Sequence, residues 1–232
     1  MATDRKIAVI TGVLFIIATA ASLVGSGFTD PILGAPDYLN AVASNGSQII
    51  VGTLLSFIAA AGSSGIAISL YPVLRKHNEG LALGAVGFRI IEGVFYTVGA
   101  VCLLSLLPLS QQFVSAGAQN ALYFQTVGDL LLTMSDVAGF VFGVLAFCLG
   151  ALMYYVVFYR TRLIPRWLSI WGLIAIVMLF SAVLITLFDG VPYRVSGNLV
   201  VLALPIALQE MVLAVWLIVK GFNPSALASA SA

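Results

Sequence analysis

The chain has 232 residues, of which 61% are hydrophobic and 8% charged, with a formal net charge of +1 and a mean hydropathy of +1.12. Soluble domains carry roughly 25% charged residues, so this composition excludes an ordinary soluble domain and points to a polytopic membrane protein. A net charge this small leaves no basic footprint for nucleic acid. Two cysteines without a CxxC spacing supply neither a zinc site nor a disulfide framework.

A run of about 20 apolar residues can cross a hydrocarbon core about 30 Å thick. Six such runs are present, at about 6–25, 48–74, 81–109, 122–158, 167–188 and 198–220. The first follows a basic start, as a signal peptide does. At about 19 residues it exceeds the usual 7–15-residue apolar stretch of a signal peptide and reads as a retained span.

The first loop, "FTDPILGAPDYLNAVASNGSQ", is irregular. Pro31 and Pro36 are expected to bracket a turn, and Asp37 to cap a short helix, "YLNAVAS". The segment reads as an interfacial loop or as a lid over the outer face. Span 2 contains "AAAGSSG", Ala59–Gly65. Small residues let helices approach closely, and they also leave room for a ligand. The turn "RKHNEG" holds the lone His77, read as solvated, and no metal site is expected.

Span 3 carries Arg89 and Glu92, about 12 Å and 16 Å deep by helical rise from Leu81. Tyr96 and Gly99 continue the same stripe, because residues three and four apart share a helix face. The fourth run has 37 residues, about 55 Å of helix. It is expected to extend outward or to begin as a separate interfacial helix, with a bend between Gly128 and Gly139. Asp129, Thr133 and Asp136 share one face of it, either a wet outer surface or the outer mouth of a polar cavity. Gly139 and Gly143 form a GxxxG packing element. Next comes "RTRLIPRWLSIWG". There Arg160, Arg162 and Arg166 with Trp167 and Trp171 form an interfacial anchor, and the arginines also suit anionic lipid.

In span 6, Gln209 and Glu210 follow Pro205. Glu210 lies about 15 Å from the Lys220 end, level with Glu92. A charge at mid-membrane costs about 2.5–3.5 kcal/mol on insertion scales, so Arg89, Glu92, Tyr96, Gln209 and Glu210 are expected to gather in a central polar cluster. Glu210 is the preferred partner for Arg89. Residues 221–232 read as a flexible tail.

With six spans, Arg5, Lys6, Arg75, Lys76, Arg160, Arg162, Arg166 and Lys220 all fall on one side, and only Arg194 falls opposite. The positive-inside rule then makes both termini cytoplasmic. Phosphate loops, GxGxxG, HExxH and GxSxG are all missing from the sequence. No histidine neighbours Ser63, Ser64 or Ser69 as a base. Cys102 and Cys148 fall at different depths and read as packing residues. The two halves show no convincing repeat.

"RKIAVITGVLFIIATAAS", "LYPVLRKHNEGLALGAVGFRIIEGVFYTVGAVCLLSLLPLS" and "YYVVFYRTRLIPRWLSIWGLIA" resemble the bacterial integral-membrane family catalogued as domain of unknown function 4386. The more specific elements fall on Phe88, Arg89 and Glu92, and on Arg162, Pro165, Arg166, Trp167 and Gly172. The resemblance implies a six-helix protein of the bacterial inner membrane and carries no activity or cofactor.

The expectation is therefore an all-α, multi-pass bundle of six transmembrane helices with a central polar cluster. Its partners are expected to be membrane lipids and a small amphipathic ligand, with a further subunit or an oligomer left open. A catalytically silent scaffold is the first alternative. The second is a lipid-modifying enzyme using Glu92 or Glu210 as acid or base. A cavity touching Arg89, Glu92 and Glu210 would favour binding. A dry, fully paired cluster would favour the scaffold.

Overall fold

The computed structural model describes residues 2–116, 120–189 and 197–229, all-helical with short connections and no strand among them. Arg194 and residues 230–232 lie outside the described residues. The helices run α1 Ala2–Leu33, α2 Tyr38–Ser44, α3 Gly46–Leu74, α4 Glu79–Ala116 and α5 Ala121–Asp136. A π-helical segment, Val137–Gly143, joins α5 to α6, Val144–Thr161. Then come α7 Arg166–Asp189, α8 Gly197–Val219 and α9 Pro224–Ser229. Six helices are long and apolar enough to cross a membrane, with α5, the π segment and α6 counting as one.

These six spans form a closed ring. Each packs on the next in sequence, and α8 returns to α1. Small residues set the closest approaches. A Cβ on Gly12 of α1 would lie 2.7 Å from the Ala214 carbonyl oxygen of α8. Gly25 of α1 and Gly52 of α3 face each other so that a Cβ on either would come within 2.9 Å of the other's carbonyl oxygen. Large hydrophobic side chains such as Leu83, Val94 and Val101 of α4 and Ile174 and Val177 of α7 point outward. An exterior this apolar suits acyl chains.

Apart from Arg89, the basic residues among those described gather at one end. Arg5 of α1 donates from Nη1 to the Leu217 carbonyl at 3.0 Å and from Nη2 to the Ile218 carbonyl. These are orphan carbonyls at the C-terminus of α8, where cations are favourable. Gly221 then ends the helix with φ +74, a conformation glycine adopts without a Cβ penalty. Residues 221–229 depart from the flexible tail expected of 221–232. Phe222 and Ala226 are buried, and the Asn223 N–H donates to the Leu163 carbonyl at 2.9 Å. Apolar side chains on a short helix had somewhere to pack.

At the far end, α1 and α4 run past the bounds read from hydropathy, whereas α5 begins within a residue of its expected start. The reason is α2, whose Leu39 and Val42 are buried. Val42 joins Ile32, Leu33, Ile49, Leu103 and Leu106 in a second core. The segment is a docked cap, not a loose loop. Its helix matches the expected residues, but the Asp37 side chain makes no cap bond; it accepts from Asn40 Nδ2 at 2.6 Å. Pro31 lies inside α1, so it does not open the turn.

Candidate functional site: a polar cavity inside the helix ring

Arg89 and Glu92 are each only 2% exposed. Arg89 Nη1 lies 3.1 Å from Glu92 Oε2, a pair within one helix turn. Glu92 Oε1 accepts from Ser63 Oγ at 2.7 Å, and Arg89 Nε donates to the Ser63 carbonyl at 3.4 Å. Ser64 Oγ donates to the Arg89 carbonyl at 3.0 Å. The small-residue run of α3 therefore does two things. It lets α3 approach Gly93 of α4, where a Cβ would lie 3.3 Å from the Ala60 carbonyl oxygen, and it supplies hydroxyls to the ion pair.

On the other side, α6 receives the arginine. The guanidinium carbon stands 4.6 Å from the Phe147 ring centroid, within cation–π range. Gly150 makes space for the stem, since a Cβ there would meet Arg89 Cγ at 3.0 Å. The GxxxG element serves Tyr96, whose ring would be 2.8 Å from a Cβ on Gly143. The π segment that carries these glycines is the break in the fourth run. It begins inside the expected interval, Gly128–Gly139, and continues to Gly143. Such segments often mark functional sites.

Beside this unit lies a cavity of about 530 Å³, bordered by Arg89, Glu92 and Tyr96 of α4, Ser63 of α3, Phe147 of α6 and Glu210 of α8. That volume falls in the range of small-molecule sites. Its most exposed large hydrophobic wall residues are Leu23 of α1, at 68%, and Leu204 of α8, at 57%. Among the described residues, its mouth therefore lies between the first and last spans. Thr19, Ser22, Ser26 and Asp30 of α1 also face it. That polar stripe was missed in the sequence, although its spacing of three, four and four residues is a helical-face signal.

Two members of the expected cluster are placed differently. Glu210 is not within ion-pairing range of Arg89, whose salt bridge runs to Glu92. Glu210 Oε1 is buried and has no hydrogen-bond partner. Gln209 does not face the cavity. It is fully buried, accepts from the Tyr155 hydroxyl and donates from Nε2 to the Leu168 carbonyl at 3.0 Å, tying α8 to α6 and α7. Adjacent helical residues point about 100° apart, so Glu210 faces the cavity while Gln209 turns into the packing of α6 and α7.

Asp129, Thr133 and Asp136 do not share one environment. Asp129 and Thr133 are exposed, whereas Asp136 is buried. Asp129 Oδ1 accepts from the Tyr38 hydroxyl of α2 at 2.8 Å. Burial and the Asp129 carboxylate raise the Tyr38 phenol above its ordinary pKa. At the basic end, Trp167 and Trp171 stack at 6.4 Å, and the Arg166 guanidinium stands 5.4 Å from the Tyr159 ring centroid. Arg160 is exposed there. Arg162, Arg166 and Lys220 border a second, open pocket of about 530 Å³ with Trp216.

A family model described as "Domain of unknown function (DUF4386)" matches residues 10–221. The chain belongs to that family. No curated protein and no solved structure matches it. In this member of the DUF4386 family, Arg89 and Glu92 form the ion pair at the cavity wall. Gly172 of the second motif packs flat against the Tyr155 ring, where a Cβ would meet Cε1 at 2.5 Å and Cζ at 2.7 Å.

Proposed function

We propose that this member of the DUF4386 family binds a small amphipathic molecule or lipid taken from the surrounding membrane, with the polar head at Arg89, Glu92 and Glu210. The observation that carries this reading is the cavity that Glu210 shares with the Arg89–Glu92 pair. A scaffold needs the pair and Ser63, which together clamp α3 to α4. It has no use for a mid-membrane carboxylate left without a partner, given what such a group costs. The mouth between α1 and α8 gives an acyl chain a lateral way in.

The setting belongs to the same proposal. The eight basic residues set the basic end at the cytoplasmic face of a bacterial inner membrane. Arg162, Arg166 and Lys220 around their pocket fit anionic headgroups there. The test is to purify the protein in lipid nanodiscs and identify extracted small molecules by mass spectrometry. An amphipath should be recovered with the wild type and lost with Ala59→Trp, which fills the cavity. Equal recovery from both proteins would remove the cavity from the explanation.

A further inference from the structure

We propose that the head group the cavity selects is cationic, an amine or quaternary ammonium on an apolar tail. The inference rests on the binding reading above and adds the sign of the charge.

The charged residues on the described cavity wall are Asp30, Arg89, Glu92 and Glu210. Arg89 is the only cation among the described wall residues, and it is already matched. Glu92 pairs with it at 3.1 Å, its Nε is directed to the Ser63 carbonyl, and Phe147 covers its face. Glu92 Oε1 accepts from Ser63, and Oε2 lies within ion-pairing distance of Arg89 Nη1 without a hydrogen bond. Glu210 stands outside this ion pair, and its buried Oε1 has no hydrogen-bond partner. One guanidinium and three acidic side chains line the described wall, so the acids outnumber the cation. An anionic head would add another negative group beside a single cation. A cationic head would pair with Glu210, and the attraction between opposite charges is stronger in a low-dielectric site than in water. The aromatic rings of Tyr96, Phe140 and Phe147 on the same wall suit an alkylammonium, which is attracted to ring faces. The tail then leaves between Leu23 and Leu204, where the wall meets lipid.

The test uses the full-length protein in nanodiscs of neutral phosphatidylcholine, with empty nanodiscs as the partition control. Saturable binding of three probes with the same tail is measured by titration calorimetry: dodecyltrimethylammonium, dodecanol and dodecyl sulfate. The ammonium probe should bind on the order of tenfold more tightly than dodecanol, the equivalent of about 1.4 kcal/mol, and the sulfate most weakly. Glu210→Gln should bring the ammonium probe down to the affinity that the same variant shows for dodecanol, with thermal unfolding confirming that the variant is folded. If dodecanol and the sulfate bind as well as the ammonium, the cavity takes amphipaths without regard to charge. The inference then fails while the binding reading stands. If the ammonium preference survives Glu210→Gln, the carboxylate is not its source and the inference also fails. If none of the three binds saturably, the binding reading falls and takes the inference with it.

Discussion

Arg89 is held by contacts from three helices, and each can be removed separately. Arg89→Ala strands Glu92 at 2% exposure with Ser63 as its remaining donor. Breaking a buried pair from one side costs about 3–5 kcal/mol, so the detergent-solubilised variant should unfold at a markedly lower temperature. Arg89→Met combined with Glu92→Gln removes both charges and should regain most of that stability. Because Glu210 is outside ion-pairing range, it need not be changed. An unchanged unfolding temperature for Arg89→Ala would falsify the buried-pair description. The identity of the partner acid was not legible in the sequence. Depth along the helix put Glu210 and Glu92 at one level, but rotation of α8 about its own axis and its distance from α4 are set by packing. The same rotation sends Gln209 to Tyr155 and away from the cavity.

Between neighbouring elements, close approach of rigid groups governs the outcome. Gly172 of α7 meets the Tyr155 ring of α6, which is wholly buried. A methyl there has no room and the ring cannot swing aside, so Gly172→Ala should destabilise by about 1–3 kcal/mol. Gly27 of α1 has open space around a Cβ, and Gly27→Ala should be neutral or stabilise by up to about 1 kcal/mol through helix propensity. Thermal unfolding of the two variants side by side is the measurement, and similar shifts would contradict the packing. The α2 cap offers a pH test. The Tyr38 phenol ordinarily titrates near 10.0 and is raised here by burial and by Asp129. A raised value means that docking is fully stable below the ordinary pKa. That stability declines as pH rises through 10, because the released phenol ionises first. A spin label at Asn40→Cys should gain mobility above about pH 10, and Tyr38→Phe should remove that dependence. The helix of α2 was legible from its residues. Its role as a cap was not, since burial of Leu39 and Val42 depends on α4 and α5 meeting it.

For the whole molecule, the ring of six spans and the clustering of basic side chains at one end make the orientation testable. Cys102 and Cys148 are both buried, so single introduced cysteines at exposed positions report cleanly. Gln112→Cys at the far end of α4 should react with a membrane-impermeant thiol reagent added to intact cells. Ala228→Cys, in α9 at the basic end, should react only after the membrane is opened. Labelling of the second site from outside would reverse the proposed orientation.

The sequence by itself determined the solvent, the six spans and the deep charges. Each of these follows from local composition and from the fixed rise of a helix. The helical-face rule also put Glu92 within reach of Arg89, because that pair lies within one turn, but it did not choose between Glu92 and Glu210. What only the tertiary structure decided is whatever requires two helices to choose a distance and a rotation. That includes the return of α8 onto α1 through Gly12, the π segment that fits Gly143 around Tyr96, and the docking of 221–229. The cavity that leaves Glu210 facing the Arg89–Glu92 pair without touching it is of the same kind. Packing of that sort is a sum of many small contacts between residues far apart in the chain, and no window of sequence contains it.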